Sequence, residues 1–144
     1  MVRTIFLTAA FFVVVMMALL AGMTYGAWLA GGGPKSPDFP GLTTRQVSIF
    51  FTAYVFFQVW NQINCRSLDP RESGLSRLWD NPQFLLIAGV TVLVQVLIVT
   101  VEPLAAMFKV APLGVLDWLV IAAATSSVLV FAEVARRVRL AVAR

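Results

Sequence analysis

Apolar residues along the chain gather into four long stretches separated by shorter polar ones. Residues 4–28 read TIFLTAAFFVVVMMALLAGMTYGAW, with no ionisable group except Tyr25. That is long enough to cross about 30 Å of hydrocarbon at about 1.5 Å per helical residue. Further stretches at 43–64, 81–101 and 116–138 each predict another membrane-crossing helix. The segment LAGGGPKSPDFPGL, residues 29–42, is too rich in Gly and Pro to hold a helix and predicts a loop. Residues 65–80 and 102–115 predict the other loops. Asn81-Pro82 suits a helix start, since Asn accepts from a first-turn amide and Pro gives up a donor that had no partner; Glu102-Pro103 closes the same helix. The expected fold is an all-α integral membrane protein, a single transmembrane domain over residues 1–144 with four helices. A cleaved secretory leader is disfavoured, because the first stretch is too long and three more follow it.

Composition narrows this further. Of 144 residues, 60% are hydrophobic and 12% charged, which excludes a soluble globular domain. Four spans and their loops leave no room for a nucleotide-binding domain. Histidine is absent and Cys65 is the single cysteine, so a His-based triad, a Cys/His zinc site and an intrachain disulfide framework are all excluded. The 11 basic residues outnumber the 7 acidic ones, and in a membrane protein such an excess orients the chain rather than binding nucleic acid. Arg3, Arg66, Arg71, Arg77, Arg136, Arg137, Arg139 and Arg144 fall on one side; Lys35, Arg45 and Lys109 fall on the other. Both termini are therefore expected in the cytoplasm, with Cys65 at the reducing face as a free thiol.

The spans carry no carboxylate in mid-membrane. Asp38, Asp69, Glu72, Asp80, Glu102, Asp117 and Glu133 lie in loops or near helix ends, so a self-sufficient proton-coupled transporter lacks its usual acid. The second span is the most polar. Gln58, Asn61 and Gln62 share a face at i, i+3 and i+4, with Tyr54 a turn earlier. Ile49, Phe56, Trp60 and Ile63 lie opposite, which predicts aromatic and branched groups toward lipid and amides toward neighbouring helices. Such amides either bond across helices as packing or stand near a hard cation, for which neutral oxygens alone make a weak site. Gln95 in the third span reads as an interhelical hydrogen bond. The small residues 122–127 of the fourth allow close helix approach. Glu133, with Arg136 and Arg137 at i+3 and i+4, reads as a surface ion pair, and the Arg-rich end as an anchor to anionic lipid.

The order of residues carries a resemblance. FQVWNQINCR, from Phe57, resembles transmembrane helix eight of P-type calcium-transporting ATPases. RLWDNPQFL resembles the turn into helix nine, VEPLAAMFKVAPLGVLDWL the loop between helices nine and ten, and FAEVARRVR the end of helix ten. By position in this resemblance, span one would correspond to helix seven. The resemblance implies a C-terminal piece of a pump whose ATP, Mg²⁺ and aspartyl-phosphate chemistry belong to other parts of it, with no cofactor and no catalytic residue in this chain. It implies a multi-pass plasma-membrane protein whose partners are the bilayer and the N-terminal part of the ATPase. It also places Gln58 where related pumps supply a carboxylate to a calcium site, as a ligand or near neighbour of Ca²⁺. Asn61, Gln62, Asn64, Gln95 and Glu133 become structural polar residues. The alternative is a free-standing four-helix accessory subunit or small oligomeric transporter.

Overall fold

The computed structural model describes residues 2–30, 42–65 and 78–142. The proposed loops at 29–42 and 65–80 lie mostly outside the described residues, as do Lys35, Arg66, Arg71, Arg77 and Arg144. Among the described residues there are six helices, α1 (Val2–Ala30), α2 (Thr44–Cys65), α3 (Pro82–Thr100), α4 (Glu102–Phe108), α5 (Val115–Thr125) and α6 (Ser127–Val142), with a 3-10 turn at Leu78–Asp80. No strand occurs among the described residues.

Local chemistry sets the helix ends. At the start of α2, Gln46 N–H donates to Thr43 Oγ1 (3.2 Å) and Thr43 N–H donates to Gln46 Oε1 (2.8 Å), a reciprocal capping box that pairs two otherwise orphaned donors. Asn81 caps α3 by accepting from Phe84 N–H at 3.0 Å, with Pro82 following. Extended Val101 ends α3. At α5, Gly114 N–H donates to Asp117 Oδ2 at 3.1 Å, which also sets a carboxylate at the positive end of that helix.

Two sequence expectations need correction here. The segment 102–115 is not simply a loop, since it holds α4. Pro103 is compatible with a first turn, where its missing amide costs nothing, so Glu102-Pro103 both ends one helix and begins the next. The fourth span is not one uninterrupted helix. It is divided at Ser126, where hydroxyls of Thr125 and Ser126 bond back to carbonyls of the preceding turn, a pattern that loosens a helix locally.

α2 is the hub, in contact with α1, α3, α5 and α6. It runs parallel to α5 and α6: Arg45 meets Asp117, Trp60 meets Thr125 and Asn64 meets Val128. One core forms around Ala53, Val99, Ala105, Val110, Leu113 and Ile121. A second forms around Met16, Phe57 and Val128. The bundle's outside is apolar as well, with Val14, Met17, Leu86, Leu93, Val120 and Val130 all exposed, as a protein solvated by lipid requires. Among the described residues, three helical segments are long and apolar enough to cross a membrane: Phe6–Leu29, Pro82–Thr100 and Val115–Val138. α2 has the length, at 22 residues, but its Arg45, Gln46 and four C-terminal amides lower its apolarity.

Candidate functional site: the two faces of the second helix

At about 100° per residue, the buried positions of α2, namely Ser48, Thr52, Ala53, Phe57, Val59 and Ile63, cover one half of its circumference. The polar groups on that half are paired. Thr52 Oγ1 accepts from Gln95 Nε2 at 2.9 Å, with both side chains buried. Ser48 Oγ donates to Thr44 O at 2.8 Å and accepts from Ala111 N–H at 2.7 Å. Trp60 Nε1 donates to Thr125 Oγ1 at 3.0 Å, and Asn64 Nδ2 donates to Val128 O at 3.4 Å. Arg45 and Asp117 pair at 2.6 Å where α2 and α5 begin.

The Ser48 bond pairs a donor that regular structure leaves over. Between α4 and α5 the backbone is irregular, and Ala111 meets α2 one turn along from Arg45. A part-buried backbone donor without a helical partner needs another acceptor. Lys109 adopts the left-handed conformation (φ 53°, ψ 43°) and its N–H bonds to Ala106 O, while Val110 N–H reaches Ala105 O at 2.9 Å. This is a Schellman closure with Val110 packed near Ala105. Ala111 then uses Ser48, Pro112 has no donor, and Gly114 uses Asp117.

The other half of α2, its open face, is only partly covered: Val47, Phe50 and Phe51 pack against the cores and Tyr54 meets Phe12 of α1 at 5.7 Å. Tyr54 is 45% exposed, Gln58 and Gln62 are partly exposed, and neither amide side chain bonds to a described residue. Asn61 lies at the edge of this face, and its buried Oδ1 has no partner among the described residues. Along the same face, Val47, Phe50, Phe51, Tyr54, Phe108 and Val110 line an apolar cavity of about 290 Å³. The open face is thus apolar in its first half and amide-bearing in its second.

This reverses the lipid-facing assignment made from periodicity. Ile63 is buried, Phe56 packs on Trp118 with ring centroids 5.9 Å apart, and Trp60 is bonded to Thr125. The reason is aromatic packing and hydrogen bonding. Phe56 finds an aromatic partner in Trp118, and an indole N–H in an apolar setting needs an acceptor, which Thr125 supplies.

The sequence-derived polar residues do not form one site. Gln58, Asn61 and Gln62 stand together on the open side; Asn64 and Gln95 join helices elsewhere. Glu133 lies on α6, where Arg136 Nε donates to it at 2.9 Å and Arg137 Nε at 3.1 Å. Ser48, Thr52 and Thr125 were not singled out from sequence as joining groups, although Ser48 and Thr52 stand at the i, i+4 spacing of a shared face. Among the described residues, no three His, Cys, Asp or Glu side chains gather as a metal site. A divalent ion beside Gln58 would need carboxylates from other helices.

A helical membrane bundle with one polar, partly uncovered helix is the class that this architecture defines. The chain belongs to the family described as cation transporting ATPase, C-terminus, which matches residues 1–138. It is 42% identical over 75 residues to calcium-transporting ATPase 2 of Cryptococcus neoformans, covering 52% of this chain and 5% of that protein. It is 33% identical over 88 residues to calcium-transporting ATPase 1 of Schizosaccharomyces pombe, covering 61% and 10%. With human calcium-transporting ATPase type 2C member 2 it shares 28% identity over 137 residues, covering 92% and 14%. The chain thus spans no more than about a seventh of the length of these relatives.

Proposed function

We propose that these residues form the last four membrane-crossing helices of a P-type calcium pump, with both termini cytoplasmic, and that they brace its ion-binding helices. The family match across residues 1–138 carries this reading. Its physical support is the division of α2 into a closed face and an open one. In this arrangement α1, α2, α3 and the jointed α5–α6 are the four spans. The polarity of α2 is tolerated because its neighbours enclose half of it and the ion-binding helices cover the rest.

Gln58 stands beside the transported Ca²⁺ and offers a neutral carboxamide oxygen, while the acidic ligands come from the helices it faces. A neutral oxygen removes one negative charge from the cavity relative to a carboxylate, and so weakens the hold on a divalent ion unless those helices compensate. ATP and Mg²⁺ act on parts of the pump outside these residues. In this reading the assembly sits in the plasma membrane.

The experiment is calcium-dependent ATP hydrolysis by a complete pump containing this region. Gln58→Ala is expected to shift the apparent calcium affinity, and Gln95→Ala to leave it unchanged. Equal effects of the two substitutions would reduce Gln58 to packing. The 144-residue chain reconstituted by itself is expected to show no calcium-stimulated hydrolysis above empty vesicles.

A further inference from the structure

The break between α5 and α6 has a local cause and a specific set of restraints. Thr125 Oγ1 donates to Ile121 O at 2.7 Å, and Ser126 Oγ donates to Ala123 O at 2.7 Å. Ser126 has φ −63° and ψ −13°, and Leu129 N–H bonds to Ser126 O, three residues back. Back-bonded hydroxyls and a short 3-10 step inside a long helix weaken the regular ladder at that point.

The two sides of the break share α2 and differ in their second neighbour. Above it, α5 is fixed to α2 by the Arg45–Asp117 pair and by Phe56 against Trp118. Below it, α6 rests on α2 where Val128 joins Phe57 in one core, and also on α1, with Phe11 and Phe131 stacked at 4.2 Å between centroids. Across the joint itself, two side chains of α2 one helical turn apart hold both halves: Trp60 on Thr125 and Asn64 on Val128.

We propose that Thr125–Ser126 is a hinge splinted by Trp60 and Asn64, so that α6 swings relative to α5 when α2 shifts and those two bonds release. The proposed trigger rests on the pump reading, in which α2 leans on helices that move with the ion. The hinge itself is a property of this chain. Because Gln58 and Trp60 lie on opposite sides of α2, a rotation of α2 that follows ion release on one side pulls the indole away from Thr125 on the other. The α6 end that moves carries Glu133, Arg136 and Arg137.

The test uses the full chain in lipid nanodiscs, with Cys65→Ser as background and spin labels on exposed positions. One pair, at Leu86 and Val138, reports on α6; the other, at Leu97 and Val120, reports on the part above the joint. A kink change of about 20° acting on an arm of about 18 Å, at 1.5 Å per residue, displaces the end of α6 by about 6 Å. Trp60→Phe, which keeps a ring and deletes the N–H, is expected to shift or broaden the Leu86–Val138 distance on that scale and leave Leu97–Val120 unchanged. Asn64→Leu is expected to act in the same direction and serves should the first variant not fold. Unchanged distances in both pairs overturn the hinge. Equal broadening of both pairs also overturns it, since that is general loosening. The labels are read without calcium, so a negative result leaves the pump reading standing, and a failed calcium-affinity test leaves the hinge standing.

Discussion

The two faces of α2 bear similar chemistry and meet opposite fates. On the closed face, Ser48, Thr52, Trp60 and Asn64 each find a partner inside the chain. On the open face, Gln58 and Gln62 find none among the described residues. Polarity in a membrane helix therefore carries two distinct meanings. It either ties the helix to its own bundle or is left without a partner among the described residues. The difference lies in the partners and not in the residue types, so changes on the closed face should reduce the stability of the chain itself and changes on the open face should not.

The largest effect is expected at Phe57, 2% exposed, which meets Phe12 edge-on at 5.4 Å and packs with Met16 and Val128. Phe57→Ala should cost toward the lower end of the about 3–5 kcal/mol seen in soluble cores. In lipid the loss is of packing rather than of burial from water. Denaturation by SDS, followed by circular dichroism or tryptophan fluorescence, reads this directly. A change below the noise would mean that the second core does not hold α1 to α2.

Ser48→Ala comes next. The substitution leaves the part-buried Ala111 N–H without its acceptor, and the expected loss is toward the lower end of about 1–3 kcal/mol. The same change should raise hydrogen–deuterium exchange at Ala111 selectively, because that amide has no other partner in the irregular segment. Protection at Ala111 equal to the parent's would show that Ser48 is not its acceptor. The Thr52–Gln95 pair is expected to matter less. Interhelical hydrogen bonds in membranes average about 0.6 kcal/mol and reach about 1.7, so a cycle of Thr52→Val, Gln95→Leu and the double variant should return a coupling in that range. Zero coupling would place the value of this contact in shape alone.

Much of this architecture is legible from the chain because it rests on local rules. The apolar stretches, the Asn81-Pro82 helix start and the Glu133–Arg136–Arg137 spacing all follow from residues near one another in sequence. The interruption at Ser126 was hidden because Thr and Ser are tolerated in helices, and their back-bonding is decided by surroundings. The short helix α4 was hidden because Pro103 reads equally as an end and as a first-turn residue. The orientation of α2 is misassigned by periodicity for a more general reason. Helical periodicity separates apolar from polar positions, yet in a membrane both lipid and protein interior are apolar. The choice between them falls to size matching and to donors such as the Trp60 indole. The small, hydroxyl-bearing stretch of the fourth span was visible, but not that Thr125 would accept from the Trp60 indole. The amides at Gln58, Asn61 and Gln62 were visible as a group, whereas the side they occupy is a tertiary fact.

The smallest expected effect is the most diagnostic. Gln58→Leu removes a carboxamide that has no partner among the described residues and replaces it with a side chain of similar size on a face partly open to lipid. With that face uncovered, the chain alone should unfold within about 0.5 kcal/mol of the parent, the ordinary range for surface substitutions, and any change should be toward greater stability, because an exposed amide in hydrocarbon is unfavourable. The contrast between the faces breaks if Gln58→Leu costs as much as Ser48→Ala. Gln58 would then hold a partner inside this chain, α2 would have no free polar edge, and the case for an ion or another helix beside it would lose its physical basis. A neutral result on the chain alone, together with a changed calcium response in a complete pump, separates the two faces of α2 by function as well as by structure.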